Sequence, residues 1–231
     1  MIVFLDIGST LIDGPPAGPA RRLAQALGLD GEAAAALEEL LFRTPSCDGR
    51  DLGTRVSERF GVDCDAAVAA AEELWEAQLR EAFVLPGARE AVGALKDAGI
   101  SRAYLSNIWP PFYACFEREF PDEAGACSQF LSFRTGLMKP DPRAFRQALA
   151  ALNARAEDAV MVGDTYDNDV APALVLGMRA VWILHRPHKE TAALVRVLTR
   201  EAPEPDLTLA TIGQLRPERL EKLAGRPRNP Q

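Results

Sequence analysis

The sequence predicts an α/β fold, a doubly wound parallel sheet with an all-helical segment inserted after its first strand. Short apolar runs alternate with helical patterns along most of the chain, which is typical of parallel strands joined by crossover helices. Residues 15–86 break this alternation, because they contain helical patterns only. A chain of 231 residues is long enough to bury the core of such a fold and still carry an insertion.

Five apolar runs are predicted to be the strands of the sheet. They are apolar nearly throughout rather than alternating, as expected when helices cover both faces of a parallel sheet. The runs are residues 2–6, 101–106, 130–133, 159–164 and 179–184.

Two helices of the core have well-marked ends. The pattern of residues 87–99 stops at Gly99, and that of residues 141–154 opens with Asp141 and Pro142, a typical cap and first turn. The tail after residue 216 is charged and rich in proline, and we expect it to fray.

The inserted segment is predicted to form four helices. Its Ala- and Glu-rich composition favours helix, and four helices in series are too many for one crossover connection. We therefore expect a helical cap domain over residues 15–86 and an α/β core domain over residues 1–14 and 87–231. The expected hinges are GPPAGP (14–19) and VLPG (84–87).

Composition argues against several kinds of partner. The formal charge is −7 and the basic residues are scattered, which predicts no nucleic-acid partner. No apolar run reaches the ~18 to 20 residues that span a bilayer, and the first residues lack the basic start of a secretory signal. The four cysteines form no CxxC pair or zinc cluster, as expected of free thiols in a reducing compartment. We expect a cytoplasmic protein with a small substrate; its oligomeric state does not follow from the sequence.

Polar residues stand where the predicted strands end. Asp6 follows the first strand, Ser106 and Asn107 the second, and Asp164 the fourth, while Lys139 precedes a helix start. Because ligands of parallel sheets gather at the carboxyl ends of the strands, these side chains are expected to converge. Carboxylates suit a hard cation such as Mg²⁺, and a lysine with a hydroxyl and helix N–H groups suits a phosphate.

Four segments carry a resemblance to a known family. In chain order, DIGST with Leu11 and Asp13, then LSN, then MKPDPRAF, then VGDTYDND resemble the four motifs of the haloacid dehalogenase (HAD) superfamily, most of whose members are Mg²⁺-dependent phosphatases. The resemblance covers roughly residues 2–212 and implies a HAD-like, Rossmann-like doubly wound sheet. Residues 15–86 are similar to its helical C1 cap in position and character.

The resemblance implies a nucleophile and a metal site. Asp6 is the expected nucleophile, which attacks phosphorus to give an aspartyl-phosphate that water later hydrolyses. Mg²⁺ is expected to neutralise the anionic reactants. Its expected ligands are Asp6, the backbone carbonyl of Gly8, Asp164 and Asp169, the last either beside the metal or reaching it through water.

Substrate-binding residues are expected on the core and on the cap. Ser106 is expected to hydrogen-bond a phosphoryl oxygen, and Lys139 to balance charge on Asp6 and the phosphoryl group. Asn107 is a further candidate on the core. On the cap, Arg43 and Arg50 are candidate substrate anchors, although both also fit a solvated surface.

Gly8 departs from the pattern of the superfamily. Most of its phosphatases carry a second aspartate there, as general acid and base, a role worth about 10²- to 10⁴-fold in rate, or roughly 3 to 5 kcal/mol of barrier. Ser9 is too weakly acidic to replace it. His185 has a suitable pKa range, but it follows a strand expected about 10 Å from the first. The cap loop offers Asp48 and Asp51.

Three functions therefore remain open. The first is a metal-dependent phosphatase, restricted to phosphates with good leaving groups or to substrates that supply their own proton. The second is a catalytically impaired relative that binds a phosphorylated ligand or a partner protein. The third is a metal-independent 2-haloacid dehalogenase, against which VGDTYDND retains the acidic pattern that a metal needs.

Overall fold

A computed structural model of the chain describes residues 1–225. The strands are β1 (Ile2–Leu5), β2 (Ile12–Asp13), β3 (Phe83–Val84), β4 (Ser101–Ser106), β5 (Ser128–Leu131), β6 (Ala159–Gly163), β7 (Arg179–Ile183) and β8 (Leu207–Leu209). Six of them form one parallel sheet in the order β5-β4-β1-β6-β7-β8. The predicted doubly wound α/β fold is confirmed.

Helices cover both faces of this sheet and form the insertion. They are α1 (Pro19–Ala26), α2 (Gly31–Arg43), α3 (Gly49–Phe60), α4 (Cys64–Glu81), α5 (Ala88–Asp97), α6 (Pro110–Glu119), α7 (Pro121–Ala126), α8 (Ser132–Thr135), α9 (Pro142–Ala151), α10 (Ala171–Val175), α11 (Thr191–Leu198) and α12 (Pro217–Ala224). A π-helical turn, Tyr166–Val170, leads into α10. No helix within residues 1–225 is both long enough and apolar enough to cross a membrane.

The central strand shows how the core is divided. Val3 and Leu5 of β1 face a cluster of buried side chains that includes residues of α5, α6 and α12, while Phe4 faces a second cluster built with α9, α10 and α11. Successive side chains of a strand point to opposite faces of its sheet. Both faces are therefore apolar, which explains the unbroken apolar runs of the sequence.

The insertion contains four helices, as predicted, and has a core of its own. Helices α1 to α4 pack around the buried side chains of Leu23, Leu37, Leu52 and Leu74. The carboxylates of Asp30, Asp48 and Asp63 accept backbone N–H groups at the starts of α2, α3 and α4, which is the preferred way to cap a helix. At the base of the insertion, β2 and β3 pair antiparallel.

Two predictions about the core were wrong in detail. The third strand is Ser128–Leu131 rather than residues 130–133, because Gln129 is held in the strand by hydrogen bonds to Tyr113 and Ala124. The tail does not fray throughout, because Leu220 and Leu223 anchor α12 in the core. Residues 226–231 lie outside the described residues.

Candidate active site

The polar strand ends meet in a cavity between the sheet and the insertion. Its volume is about 310 Å³. Asp6, Asn107 and Asp164 line it from the ends of β1, β4 and β6, and Lys139 and Asp169 complete the core side. Of the side chains predicted to converge, Asp6, Asn107, Asp164 and Lys139 therefore line one cavity, whereas Ser106 does not line it.

Three buried carboxylates form a candidate metal centre. One oxygen each from Asp6, Asp164 and Asp169 lies within 4.8 Å of the others. Asp169 reaches the group because Gly163 has no side chain: a Cβ atom built there would lie only 2.3 Å from the Asp169 carboxyl carbon. The Thr165 backbone N–H donates to Asp169 Oδ2 over 3.0 Å and fixes the carboxylate further.

Lys139 bridges two of these carboxylates. Its Nζ lies 2.8 Å from Asp6 Oδ1 and 2.5 Å from Asp169 Oδ1, and the side chain is buried. The backbone of Lys139 is clamped by Asn107, whose Oδ1 accepts its N–H over 2.8 Å and whose Nδ2 donates to its carbonyl over 2.7 Å. Asn107 thus holds the lysine in place.

Charge in this centre is not balanced by the protein alone. Burial raises the pKa of Asp164 well above its usual range, with further contributions from Asp6 and Asp169. Burial likewise raises the pKa of Asp169 to about 6, in spite of its ion pair with Lys139. For Lys139, burial works in the opposite direction, but the two carboxylates outweigh it and raise the pKa. A clustered set of carboxylate oxygens with excess negative charge fits a divalent cation such as Mg²⁺.

Arg186 is a further cation at the centre, and sequence reasoning missed it. Its Nη2 lies 2.5 Å from Asp164 Oδ2, and its Nη1 lies 3.8 Å from Asp13 Oδ1. Arg186 follows β7, so its place just beyond the carboxyl end of a strand was the signal that could have identified it.

The turn after β1 does not require the glycine at position 8. Gly8 does not have a positive φ, whereas Ser9 does, at 56°. A Cβ atom at position 8 would meet only Phe112, 3.5 Å from its Cε1, which is ordinary van der Waals contact. Neither backbone conformation nor space therefore explains why Gly8 stands where a carboxylate is usual.

Besides the three clustered aspartates, the described residues place two carboxylates on the wall of the cavity, Asp13 from the core and Glu38 from the insertion. Asp13 lines the cavity and accepts hydrogen bonds from Ser9 Oγ and the Gly14 N–H. Burial would raise its pKa, but His185, Gly14, Arg186 and Ser9 together hold the pKa of Asp13 below its usual value, so it stays ionised.

Other candidates for proton transfer have structural roles. His185 Nε2 lies 3.5 Å from Asp13 Oδ2, but His185 is not among the residues that line the cavity. The strand before it is two positions from β1, as expected. Asp48 caps α3, and Asp51 accepts from the Cys47 N–H and from Arg55 Nε.

The expected substrate anchors have different surroundings. Ser106 is buried at the end of β4, and its Oγ has no hydrogen-bond partner within residues 1–225. Arg43 donates to the Gly136 carbonyl over 2.8 Å and so ties the insertion to the core. Arg50 is exposed, and its Nε lies 3.5 Å from Glu72 Oε1. It does not line the cavity.

The insertion closes the cavity with residues that carried no sequence signal. Phe42 lines it from α2 and Gln78 from α4, while Trp109 and Phe112 line it from the core. Only the packing of the insertion on the core brings these four side chains together.

Comparisons with known proteins agree with this geometry. A family model of haloacid dehalogenase-like hydrolases matches residues 1–177. A phosphoserine phosphatase of Thermus thermophilus is 40% identical over 120 residues, 49% of this chain and 47% of that protein. A ribulose-1,5-bisphosphate 5-phosphatase of Halopiger xanaduensis is 32% identical over 156 residues, 64% of this chain and 62% of that protein. The chain thus matches about half to three-fifths of the length of these relatives.

Solved structures share the fold over nearly the whole chain. A 2-haloacid dehalogenase from Pseudomonas syringae is 24% identical with a TM-score of 0.63, covering 96% of this chain and 98% of that one. A HAD phosphatase from Thermococcus onnurineus is 22% identical with a TM-score of 0.58, covering 97% of each chain. At these identities the likeness extends to the fold and not to the chemistry.

Proposed function

Because the chain belongs to the haloacid dehalogenase-like hydrolases, we propose that it is a Mg²⁺-dependent phosphatase that acts on a small phosphorylated metabolite. The observation that carries this proposal is the placement of Lys139 Nζ between Asp6 and Asp169, with Asp164 completing the carboxylate cluster. The relatives named for phosphatase activity on phosphoserine and ribulose bisphosphate support the substrate class. A cavity of about 310 Å³ supports a small substrate.

Asp6 acts as the nucleophile in this proposal. One carboxylate oxygen attacks phosphorus, the bond between phosphorus and the ester oxygen breaks, and the leaving group departs with that electron pair. Water then attacks the phosphorus of the aspartyl-phosphate, which releases inorganic phosphate and restores the Asp6 carboxylate. Thr10 Oγ1, 3.4 Å from Asp6 Oδ2, helps to orient the carboxylate.

The metal would be held by Asp6 and Asp164, with the carbonyl of Gly8 and the carboxylate of Asp169 beside them. When bound, Mg²⁺ supplies positive charge that lets one anion approach another. Lys139 supplies further positive charge at Asp6, and its ion pairs keep it protonated. The unpartnered Ser106 Oγ is suited to donate a hydrogen bond to a phosphoryl oxygen.

The rest of the chain supports this reading of the site. We infer that residues 15–86 form a cap domain that closes the cavity, and that residues 1–14 and 87–231 form the core domain. We also infer that the protein works in the cytoplasm, which the free state of Cys47, Cys64, Cys115 and Cys127 supports.

The absence of a carboxylate at position 8 restricts the substrate. Asp13, the carboxylate nearest in sequence to position 8 that lines the cavity, is held ionised and so does not protonate a leaving oxygen. Acyl phosphates and activated esters need no such proton, whereas alkyl phosphates do. The same observation favours one second candidate, an impaired relative that binds a phosphorylated ligand without hydrolysing it.

Turnover of acetyl phosphate and p-nitrophenyl phosphate tests the proposal. We expect hydrolysis that requires Mg²⁺ and is abolished in Asp6→Asn. Asp167→Asn is the matched control, because Asp167 is exposed, pairs with Arg196 and does not line the cavity; it should retain activity.

The alternatives give different results in the same assay. Binding of phosphate esters without turnover by the unaltered chain would favour the impaired relative. Release of halide from 2-chloropropionate without metal would instead identify a dehalogenase and refute the proposal.

A further inference from the structure

Gln78 of α4 has a buried amide at the wall of the cavity. The residue is only 3% exposed, and it lines the cavity from the insertion. Its Nε2 has no hydrogen-bond partner among the described residues. An unpaired buried N–H group costs free energy, so the position is costly unless a ligand supplies an acceptor.

Trp109 fixes which way this amide points. The indole Nε1 of Trp109 donates to Gln78 Oε1 over 3.3 Å. Because an indole can only donate, the amide oxygen must face it, and the amide nitrogen is directed away. Nε2 therefore points toward Gly14, where a Cβ atom would lie 3.5 Å from it.

Gly14 leaves the space in front of this donor open. Gly14 lies on the segment that links the turn after β1 to the insertion, and it lines the same cavity as Asp6. A side chain there would contact both Gln78 Nε2 and the Phe112 ring, 3.6 Å from its Cε2. Because Gly14 has no side chain, a ligand oxygen can reach Nε2 from this side when the Gln78 side chain turns slightly toward the cavity.

We propose that Gln78 determines substrate specificity by donating a hydrogen bond from Nε2 to a neutral oxygen on the leaving group of the substrate. This inference rests on the proposed phosphatase function of the same cavity. It assigns the substrate to phosphorylated compounds whose leaving group carries a hydroxyl or carbonyl oxygen, within the acyl phosphates, activated esters and self-protonating substrates to which the missing carboxylate at position 8 restricts turnover.

The surroundings of Gln78 favour a neutral acceptor over a carboxylate. The indole N–H of Trp109 holds the amide oxygen, and Nε2 and the Phe112 ring lie 3.5 and 3.6 Å from the place of a Cβ atom on Gly14, so no cation is among these contacts of the amide. A buried carboxylate needs a compensating positive charge, which an amide does not provide. A hydroxyl or carbonyl oxygen needs only the single donor that Nε2 offers.

A matched pair of ligands tests the proposal. Glycerol 3-phosphate and propyl phosphate have the same three-carbon chain, but only the first carries hydroxyl groups. Their inhibition constants against p-nitrophenyl phosphate hydrolysis should differ about 3- to 10-fold, the effect of one neutral hydrogen bond. Both Gln78→Leu and Gln78→Met should abolish the difference, because neither side chain can donate a hydrogen bond, whereas Gln25→Leu, on the exposed side of α1, should preserve it.

Two variants and a second measurement keep the result interpretable. Gln78→Met has nearly the length of glutamine and no N–H donor, and it preserves the local packing if Gln78→Leu does not fold. Calorimetric binding of the two ligands to Asp6→Asn, with and without Gln78→Leu, reads the preference even if no substrate is hydrolysed. If the protein hydrolyses no phosphate ester but still binds glycerol 3-phosphate more tightly than propyl phosphate, the phosphatase function is refuted and the role of Gln78 in binding is supported.

Other outcomes would overturn the proposal. Equal binding of the two ligands by the unaltered chain would contradict it, as would a preference that survives both Gln78 substitutions. If 3-phosphoglycerate, which has a carboxylate in place of one hydroxymethyl group, binds more tightly than glycerol 3-phosphate, the acceptor is not neutral and the assigned class is wrong.

Discussion

A carboxylate at position 8 has room in the turn after β1, since its Cβ would be 3.5 Å from the Phe112 ring and the backbone is not left-handed. We expect Gly8→Asp to fold and to raise kcat/KM for an alkyl phosphate such as glycerol 3-phosphate by up to about 10²- to 10⁴-fold, the worth of general acid–base catalysis. The gain for acetyl phosphate should be much smaller, because its leaving group needs no proton. Steady-state kinetics on both substrates measure the contrast.

Gly8→Asn is the control for this substitution. Asparagine has nearly the shape of aspartate but cannot transfer a proton at neutral pH, so it should leave alkyl phosphate hydrolysis near its original rate. If Gly8→Asn accelerates the reaction as much as Gly8→Asp, the added side chain acts by binding or packing, and the missing proton donor is not what limits the enzyme.

The buried carboxylate of Asp164 is expected to lower the stability of the metal-free protein when it is ionised. Its pKa is raised by burial and by the neighbouring carboxylates, so its ionised form destabilises the metal-free protein above the raised pKa. That destabilisation disappears as the pH falls toward the unfolded value of 3.8. At pH 7.5 in EDTA we expect Asp164→Asn to increase the free energy of unfolding by about 0.5 to 2 kcal/mol, the usual range for relief of active-site strain.

The pH dependence identifies the cause of this gain. In urea denaturation curves, the advantage of Asp164→Asn should shrink as the pH is lowered to 5 and below, while Mg²⁺ at pH 7.5 should stabilise the original chain and not the variant. A loss of stability in Asp164→Asn at pH 7.5 would mean that its ion pair with Arg186 outweighs the cost of burial.

Individual site residues could be predicted where chain position alone decides their location. Asp6, Asp164 and Lys139 converge because parallel strands deliver their carboxyl ends to one edge, which the sequence reveals. Gln78 and Phe112 could not be found in this way. Their place in the cavity depends on how a separate helical layer packs against the core, and residue spacing along a helix does not encode that.

Helices α3 and α4 approach each other so closely that only glycine fits at two positions of α3. A Cβ atom on Gly53 would lie 2.4 Å from Val68 Cα, and one on Gly49 would lie 2.6 Å from Glu72 Cα. In a helix exposed to solvent, replacing glycine by alanine is stabilising by about 1 kcal/mol. At Gly53 and Gly49 the same replacement should be destabilising instead, because the new Cβ atom would clash with the backbone of α4, which is packed too rigidly to move away.

Gly53→Ala is therefore expected to lower the free energy of unfolding by about 1 to 3 kcal/mol, the usual cost of overpacking. Gly93→Ala, within α5 where a Cβ atom would meet nothing within 4 Å, should raise it by up to about 1 kcal/mol. Chemical denaturation of both variants tests the pair. If the two substitutions changed the free energy of unfolding by the same amount, α3 and α4 would have to move apart easily to accommodate the new Cβ atom.

Strands and helices could be predicted where the sequence has a strong local pattern of apolar residues. The five predicted strands and the four inserted helices have strong local patterns, so their existence was predicted even where a boundary was not. Strand β8 is three residues long and pairs only with β7, so little local signal exists. Helix α6 opens with Pro110 and Pro111, which also fit a loop, and its helical form depends on burying Tyr113 and Phe116.

At the level of the whole molecule, Trp109 is a large side chain of the core that helps to join the insertion to it. Trp109 belongs to the core, directly before α6, yet it is buried in the hydrophobic cluster of the insertion. Its ring contacts that of Trp75 edge-on at 5.7 Å, and its Nε1 holds Gln78. The two sheet-facing clusters do not include it, so its removal should affect the insertion more than the sheet.

Trp109→Ala is expected to destabilise the insertion by about 3 to 5 kcal/mol, as for other large aromatic residues removed from a core. Because the insertion has its own hydrophobic cluster, the loss should appear as local opening rather than global unfolding. In hydrogen exchange, amides of α2 and α4 should lose protection while those of β6 keep it. As a control, Leu198→Ala should change the exchange protection of neither the insertion nor β6, because Leu198 is 80% exposed. An equal loss of protection in β6 would show that the insertion and the sheet unfold as one unit, and the insertion could then not open over the cavity without unfolding the core.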